Sequence, residues 1–386
     1  MLSSHVLKFG LAVLIVIACP AVAAERTVLG PKNESSAKQA VLLDVSANTI
    51  LFAKQAEVRM PTSSMSKMMT MYLVFEAIKN GKLKLDGETT ISERAWRMEG
   101  SRMYAPLGSG VKIEDLIRGV IVQSGNDASV ALAEAVAGTE DAFAGRMNAK
   151  AIELGLSNSH FVNATGLPHT EHYSTPLDLA RLGIALQRDF PEYYHYYSEK
   201  EFTYNKIKQG NRNPLLYRNM GVDGIKTGHT ETAGFGLTAS AVRDGRRLVL
   251  VVNGLKDMQE RADEPARLLE YGFHEFSAFK LLQAGQATTM VRTWLGESST
   301  VGIAPENDVL LTLPVSARSG LKVALEYQEP VSAPVNKGQM LGKAIISAPG
   351  METLEVPLLA QQTVPKFGFL SSLMAKLHLV FGGQGS

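Results

Sequence analysis

Residues 61–70 read PTSSMSKMMT and place Ser64 three residues before Lys67. Residues i and i+3 lie on one face of a helix, so the Lys67 amine can reach the Ser64 hydroxyl. The segment from residue 65 to about residue 80 is apolar on nearly every side and is followed by Gly81, which predicts a buried core helix. Burial lowers the pKa of a lysine, and a neutral amine beside a serine can take its proton. The pair predicts a nucleophilic serine, but the same spacing also recurs by chance and needs support from the rest of the chain.

The chain is long enough for two domains. It has 386 residues, whereas a single domain usually has about 100–200. Its composition, with 45% hydrophobic and 20% charged residues, is that of a soluble globular protein with a large core. The formal net charge is +1, so the sequence predicts no nucleic-acid or other polyanionic partner.

The first two dozen residues form a segment of their own. Lys8 precedes a short apolar run at residues 9–18, and small residues follow at 21–24. This order predicts a secretory signal peptide at residues 1–23, cleaved after Ala23 or, alternatively, after Ala24. The apolar run is too short for a comfortable membrane span.

Cys19 is the only cysteine of the chain. It loosely fits a lipoprotein signal, which Pro20 directly after it disfavours. After cleavage the chain would hold no thiol, so it must rely on its core for stability, and neither a catalytic thiol nor a cysteine metal site is expected. The eight histidines show no metal-ligand spacing. We therefore expect no metal ion and no other cofactor.

The residues after the leader alternate between helical and strand-like patterns. A polar break, QSGND at residues 123–127, separates two helices and should present its side chains outward from a tight bend. Residues 222–230 are expected on or beside the edge of an antiparallel sheet. The other predicted elements are a hairpin of residues 39–45 and 50–53, helices at 113–121 and 128–137, helices after Thr139 and Thr175, strands at 236–242 and 248–252 joined by a turn at Asp244-Gly245, and a helix at about 260–276.

The character of the chain changes after residue 282. Short strand-like runs separated by proline and glycine predict a small all-β domain at residues 283–360. Residues 361–386 then form an amphipathic pattern, with Leu373, Leu377 and Phe381 on one side and lysines available for the other. This tail is too short and too interrupted to cross a bilayer, so it predicts a helix lying on a membrane surface. The alternative is a helix that docks on its own protein.

Three short motifs follow one another along the chain: Ser64-Met65-Ser66-Lys67, Ser124-Gly125-Asn126 and Lys226-Thr227-Gly228. Each is weak alone, but the triple in this order, with about 60 and then about 100 residues between its members, is highly specific. The order and spacing resemble those of the penicillin-recognising serine enzymes. Further segments, QSGNDA at 123–128, NRN at 211–213 and VDGIKTGHT at 222–230, resemble the D-alanyl-D-alanine carboxypeptidases, the low-molecular-mass penicillin-binding proteins. The resemblance covers nearly the whole chain.

The resemblance implies an α+β fold. The catalytic domain, residues 24–282, would be of the β-lactamase/transpeptidase type, with a five-stranded antiparallel sheet flanked by helices and an additional helical subdomain. The small all-β domain at 283–360 and the amphipathic membrane anchor at 361–386 would follow it.

The resemblance also assigns roles to the motif residues. Ser64 would attack the D-alanyl-D-alanine carbonyl, Lys67 would accept its proton, and Ser124 and Asn126 would relay the proton to the leaving amine and hold the substrate amide. Lys226 would attract the terminal carboxylate of the substrate and, as a cation, help to keep Lys67 neutral.

Four further residues are implied on the substrate side. Thr227 would bind the terminal carboxylate beside Lys226, and Gly228 completes the third motif. The backbone N–H groups of His229 and Ser64 would form the oxyanion hole. Arg261 falls where the family carries a second carboxylate-binding arginine; the local match is looser there, and a solvated helix charge is the alternative.

The sequence therefore predicts a serine-type D-Ala-D-Ala carboxypeptidase, exported to the periplasm and peripheral on the outer face of the inner membrane. It would remove the terminal D-alanine from peptidoglycan pentapeptide through an acyl-enzyme, and β-lactams would be covalent inhibitors. The alternatives are an endopeptidase that cuts peptide cross-links, a β-lactamase, and a non-catalytic wall-binding protein. A class A β-lactamase needs a Glu-x-x-Leu-Asn segment, and the nearest stretch, Glu153 to Asn158, is out of register.

Overall fold

The computed structural model describes residues 25–28 and 30–368 of the chain. The expected signal peptide and the part of the expected tail helix after residue 368 lie outside these residues. Within them, the helices are α1 (Lys67–Lys79), α2 (Glu93–Trp96), α3 (Ile113–Ile121), α4 (Asn126–Ala137), α5 (Glu140–Glu153), α6 (Pro176–Asp189) and α7 (Met258–His274).

The strands are shorter and more numerous. Ten of the described strands precede α7, and the eleventh follows directly after that helix. In chain order they are β1 (Arg26–Thr27), β2 (Gln39–Asp44), β3 (Thr49–Lys54), β4 (Glu88–Thr90), β5 (Gly110–Lys112), β6 (Glu201–Tyr204), β7 (Ile207–Gly210), β8 (Val222–Thr230), β9 (Gly234–Arg243), β10 (Arg246–Leu255), β11 (Phe276–Leu282), β12 (Thr289–Trp294), β13 (Thr300–Ala304), β14 (Val309–Pro314), β15 (Lys322–Tyr327), β16 (Val331–Ser332), β17 (Met340–Ser347) and β18 (Leu354–Ala360).

Local sequence signals account for several element ends. The Thr175 hydroxyl accepts a hydrogen bond from the Asp178 N–H at the start of α6, with Pro176 at the first helical position, as predicted. The turn between β9 and β10 is made by Asp244 and Gly245, both of which have positive φ angles of 49° and 76°. Those angles are the ones that a two-residue hairpin of this twist requires, so the predicted hairpin is confirmed.

The central sheet has the strand order β1-β3-β2-β10-β9-β8. Its five long strands pair antiparallel, as the resemblance implied, and the two-residue β1 adds to β3 in parallel. Side chains alternate between its faces: Val249 and Val251 of β10 join the core beside α1 and α6, whereas Leu248 and Leu250 join the core beneath α7. β8 forms one edge of this sheet.

Helix α1 is the centre of the helical part. Ten of its thirteen residues are buried, because α3, α4, α5 and α6 surround it. The prediction of a core helix is therefore confirmed. A short 3₁₀ turn at Ser63–Ser66 leads into α1 and packs against β8, so the start of the helix meets the edge of the sheet.

The C-terminal part is built from strands, as predicted. Its main sheet has the order β15-β17-β18-β13-β12-β16, and β11 pairs with β14 in a separate ladder. That ladder crosses the boundary that the sequence placed at residue 282, since β11 ends at Leu282. Apolar side chains of β14, Leu311 and Leu313, share one core with β2, β10 and α7.

A buried carboxylate also joins the two parts. Asp44, at the end of β2, has no exposed surface and accepts hydrogen bonds from Arg246 Nε at 2.7 Å and from Thr312 Oγ1 at 2.9 Å. Arg246 also donates to the Phe276 carbonyl oxygen at 2.8 Å. Because Arg246 lies on β10 and Thr312 on β14, this network ties the central sheet directly to the β-rich part.

None of the helices in residues 25–368 combines the length and the apolar composition needed to cross a bilayer.

Candidate active site

The pair predicted from the first motif is formed. The Lys67 ammonium nitrogen lies 2.9 Å from Ser64 Oγ. Ser64 is half-buried in the 3₁₀ turn, whereas Lys67, the first residue of α1, has no exposed surface. The turn thus presents the hydroxyl toward solvent and keeps the amine inside the protein.

Two further oxygens fix the Lys67 side chain. Its Nζ lies 2.7 Å from Asn126 Oδ1 and 2.6 Å from the Thr165 carbonyl oxygen. A neutral amine has two N–H bonds and one lone pair, so donation to these two oxygens directs the lone pair at Ser64 Oγ. Lys67 is therefore held in the geometry of a base that can accept the Ser64 proton.

The pKa of Lys67 is lowered to about 7. Burial is the main cause, the positive charge of Arg212 adds to it, and the Asp127 carboxylate opposes it. The family resemblance implied that Lys226 is the cation that keeps Lys67 neutral. In the structure Arg212 is the cation that acts on Lys67, while the charge of Lys67 lowers the pKa of Lys226.

The second motif forms the bend between α3 and α4. Ser124 has a φ of 59°, a left-handed conformation that is costly for a residue other than glycine. Its hydroxyl accepts a hydrogen bond from Lys226 Nζ at 3.0 Å. Asn126 is the first residue of α4, and its amide nitrogen donates to the Glu99 carbonyl oxygen at 2.6 Å, which turns Oδ1 toward Lys67. The bend therefore provides a hydrogen-bond acceptor for each of the two lysines, Ser124 for Lys226 and Asn126 for Lys67.

The third motif lies on β8, the edge strand beside the Ser63–Ser66 turn. Lys226 and Thr227 are buried there. A Cβ atom on Gly228 would come within 2.8 Å of the Thr62 carbonyl oxygen, so only glycine allows the strand to approach the turn this closely. Burial lowers the pKa of Lys226 well below its usual value, and the charges of Lys67 and Arg212 add to this effect.

Two arginines lie beyond the third motif, in a pocket of about 560 Å³ that we call the arginine pocket, lined by Arg212, His229, Phe235 and Arg261 among others. Arg261 is 8% exposed, its Nε is buried without a hydrogen-bond partner, and its guanidinium lies over the Phe235 ring. The His229 ring also packs on Phe235, with 3.9 Å between the two ring centroids. The solvated-charge alternative for Arg261 is therefore wrong, because a buried, unpaired cation favours an anionic ligand.

Three elements of the site had no assigned role in the sequence analysis, and the first is Asp127. Its carboxylate is 1% exposed and accepts hydrogen bonds from the backbone N–H groups of Met103 at 3.0 Å and Tyr104 at 2.9 Å. It holds the loop that supplies the Glu99 carbonyl to Asn126. The sequence feature that could have pointed to Asp127 is its position directly after the second motif.

The second element is the loop of residues 160–175, which packs under the catalytic turn. Gly166 has a φ of 79°, and a Cβ there would lie 1.9 Å from the Ser63 carbonyl oxygen. His172 is buried and lies 2.7 Å from Ser66 Oγ, and burial lowers its pKa to about 4. The loop thus supports the first motif and supplies the Thr165 carbonyl, a backbone group that no side-chain pattern reveals.

The third element is Arg212, which in the sequence is only the middle residue of the family-like segment 211–213. Its guanidinium donates to Ser101 Oγ, and it lines the arginine pocket. No group of three or more His, Cys, Asp or Glu residues in the described chain could hold a metal ion.

Comparison with protein families gives two matches. Residues 25–257 match the profile of a family described as D-alanyl-D-alanine carboxypeptidase. Residues 276–366 match the C-terminal domain of penicillin-binding protein 5.

Individual proteins agree with these matches. The chain is 38% identical to the D-alanyl-D-alanine carboxypeptidase DacC of Escherichia coli, over 97% of this chain and 96% of that protein. It is 38% identical to DacA of Haemophilus influenzae, over 90% of each. Among solved structures, penicillin-binding protein 5 from Haemophilus influenzae superposes with a TM-score of 0.79 and 38% identity, covering 87% of this chain and 99% of that one. Penicillin-binding protein 6B from Escherichia coli gives a TM-score of 0.73 and 33% identity, covering 86% and 98%.

Proposed function

Because the chain belongs to the D-alanyl-D-alanine carboxypeptidase family of serine peptidases, we propose that it removes the terminal D-alanine from peptidoglycan pentapeptides through an acyl-enzyme on Ser64. The family acts on peptidoglycan peptides and binds β-lactams. The observation that carries the proposal is the environment of Lys67. Its amine is 2.9 Å from Ser64 Oγ, is fully buried, and has a pKa of about 7, so a large fraction is neutral at neutral pH.

Substrate binding comes first in the proposed mechanism. The terminal carboxylate enters between Lys226 and Thr227, and the positive charges of Arg212 and Arg261 attract it to this side of the cleft. An anion beside Lys226 raises the pKa of that lysine again. The two buried ammonium groups repel each other, so a protonated Lys226 favours the neutral form of Lys67.

Acylation then needs one proton transfer in each direction. Lys67 takes the Ser64 proton while Oγ attacks the peptide carbonyl, and the backbone N–H groups of Ser64 and His229 stabilise the oxyanion. Asn126 holds the substrate amide. The proton passes from Lys67 through Ser124 to the leaving nitrogen, the C–N bond breaks, and D-alanine departs as a free amino acid. Water then hydrolyses the ester and regenerates Ser64.

The glutamate nearest to a β-lactamase pattern does not serve that role. Glu153 ends α5, its side chain is 62% exposed, and it pairs with Lys150 on the surface. The buried Glu140 is paired with Arg94 and accepts the Ala164 N–H. Neither carboxylate is free to prime a water for rapid hydrolysis of a penicilloyl ester.

The proposal is tested by locating the adduct that a penicillin leaves on the protein. Trypsin should release residues 60–67 as one peptide, because Arg59 precedes it and Lys67 ends it. We expect the mass of this peptide to increase by that of the intact penicillin, and fragmentation should place the increase on Ser64 rather than Ser63 or Ser66. The same preparation should release D-alanine from a pentapeptide. An adduct on another residue, or no D-alanine, would refute the proposal.

The pH dependence of acylation should report the state of Lys67. Acylation needs the neutral amine, so its rate should rise with pH through about 7 and be lost as the pH falls below that value. Replacing Arg212 with Gln removes a cation that lowers the pKa of Lys67, so this rising limb should move to higher pH. The pH at the midpoint of this limb should stay below the usual pKa of a lysine, because burial contributes more than Arg212 to lowering the pKa of Lys67.

The measurement is the second-order rate constant for a fluorescent penicillin from about pH 5 to about pH 9. Arg218→Gln is the matched control, because Arg218 is near in sequence but pairs with the exposed Asp263. An unchanged limb in Arg212→Gln, or an equal shift in the control, would contradict this account of the pKa.

We also propose the domain division and the location of the protein. Residues 1–23 would be the signal peptide, 24–282 the catalytic domain, 283–360 the all-β domain and 361–386 the anchor, in a periplasmic protein on the outer face of the inner membrane. Two observations favour moving the boundary between the catalytic and all-β domains from residue 282 to the end of α7. Strand β11 pairs with β14, and the match to the C-terminal domain family begins at residue 276.

The anchor is tested by deleting the residues after Val364. The amphipathic pattern of this tail is expected to hold the protein at a membrane surface, so the truncated protein should appear in the soluble periplasmic fraction. Its rate of D-alanine release should not change, since the tail is outside the catalytic region. Unchanged sedimentation with membranes would count against the anchor.

A further inference from the structure

A second pocket, also of about 560 Å³, adjoins the catalytic turn, and we call it the loop pocket. The catalytic turn contributes Thr62 and Ser63, and the 160–175 loop contributes the segment 166–173 apart from Glu171. Thr230, directly after His229 on β8, closes it at the sheet edge, where its hydroxyl accepts a hydrogen bond from Ser63 Oγ at 3.3 Å. The loop pocket is thus continuous with the catalytic turn.

The loop pocket and the arginine pocket share no lining residue: His229 of β8 lines the arginine pocket, whereas the next residue, Thr230, lines the loop pocket together with the catalytic turn. In the proposed function, the terminal carboxylate of the peptide is on the side of Lys226 and Arg261. The acyl part of the substrate, which stays on Ser64 after D-alanine leaves, must therefore extend away from the arginine pocket. The loop pocket adjoins the catalytic turn and has room for it.

The fixed charge in the lining of the loop pocket is positive. Its lining includes Arg59, two histidines and several hydroxyl groups, and no Asp or Glu from the described chain. The Arg59 guanidinium lies over the Tyr173 ring at 4.6 Å, and its hydrogen-bonding partner is the neutral Asn158 side chain at 3.4 Å. Stacking on a ring leaves the edge of a guanidinium, with its N–H groups, available to a carboxylate.

We propose that the loop pocket binds a carboxylate on the side chain of the residue that precedes D-alanyl-D-alanine, and that Arg59 is the residue that recognises it. This inference rests on the proposed function, because that function sets the direction of the peptide. Tyr173 holds the guanidinium plane, and the Thr230 and Thr232 hydroxyls offer further donors to the same anion. Recognition of this kind selects acidic over neutral stem peptides.

The test compares two N-acylated peptides, X-D-Ala-D-Ala, in which X is L-glutamate or the isosteric neutral L-glutamine. We expect the wild-type protein to have a higher kcat/KM for the acidic peptide. Arg59→Ala should lower kcat/KM for that peptide by roughly 3- to 10-fold, the range of a partly exposed charge-assisted pair, and leave the neutral peptide unaffected. Arg146→Ala is the matched control, because Arg146 is an exposed arginine bonded to the Val136 carbonyl within the helical part.

Binding to the Ser64→Ala protein provides a measurement that does not depend on turnover. Tighter binding of the acidic peptide, lost in the Ser64→Ala/Arg59→Ala double variant, supports the inference. Equal binding of the two peptides overturns it, and so does an equal loss for both peptides in Arg59→Ala. Absence of D-alanine release from either peptide by the wild-type protein would instead refute the proposed function, and the binding comparison would still decide the role of Arg59.

Discussion

The Ser64→Ala protein is expected to release no measurable D-alanine and to form no penicillin adduct. The variant lacks the oxygen that forms the acyl bond, and among the described residues Ser64 is the one whose hydroxyl is hydrogen-bonded to the Lys67 amine. Loss of the nucleophile in a serine hydrolase typically lowers kcat on the order of 10⁶-fold. Both activities should disappear together, because both begin with the same covalent step.

The Ser64→Ala measurement needs evidence that the protein is folded. Ser64 is half-buried, and removing its hydroxyl takes one hydrogen bond from Lys67, which keeps those to Asn126 and Thr165, so the thermal unfolding midpoint should stay close to that of the wild type. Ser198→Ala is the control, because this exposed serine donates to the His195 carbonyl far from the three motifs. D-alanine release or penicillin labelling in a folded Ser64→Ala protein would show that another residue is the nucleophile.

Replacing Lys67 should have the second largest effect. Lys67→Ala removes the base, and general-base catalysis typically contributes about 10²–10⁴-fold, so acylation should slow by a factor of that order. Lys67→Arg should be equally inactive, because a guanidinium keeps its proton at every accessible pH. The arginine variant thus separates the positive charge of this residue from its ability to accept a proton.

The acylation rate constant and the thermal unfolding midpoint should both be measured for these variants. Lys67→Ala leaves Asn126 Oδ1 and the Thr165 carbonyl without their shared donor, so we also expect a loss of about 1–3 kcal/mol in the free energy of unfolding. Lys79→Arg, at the exposed end of α1, is the control for a lysine substitution in the same helix. Substantial acylation by Lys67→Arg would rule out the neutral amine as the base.

Patterns of side chains were enough to predict much of this architecture. The all-round apolar pattern of α1 predicted its burial, and the Asp244-Gly245 turn predicted the pairing of β9 with β10, because local periodicity and turn conformation determine such elements. The convergence of the three motifs came from the family resemblance. Residues 64, 126 and 226 are far apart along the chain, and no local rule brings them together.

Other parts of the site carry no readable side-chain pattern. The Thr165 carbonyl that fixes Lys67 is a backbone group, and its position depends on how the 160–175 loop packs under the catalytic turn. Arg212 lowers the pKa of Lys67 through space, so its effect depends on a distance that only the fold sets. The burial of Arg261 likewise follows from packing on Phe235, whereas the local sequence is that of an exposed helix.

The contact around Asp44 has a consequence for where the enzyme can work. A fully buried carboxylate bridging Arg246 and Thr312, together with the apolar core beneath α7, prevents the β-rich part from pivoting freely against the central sheet. We therefore expect the two parts to move as one unit. With the tail held at a membrane, as proposed above, the catalytic cleft would stay at one distance from that membrane, and weakening the Asp44 bridge should widen the range of wall peptides that it reaches.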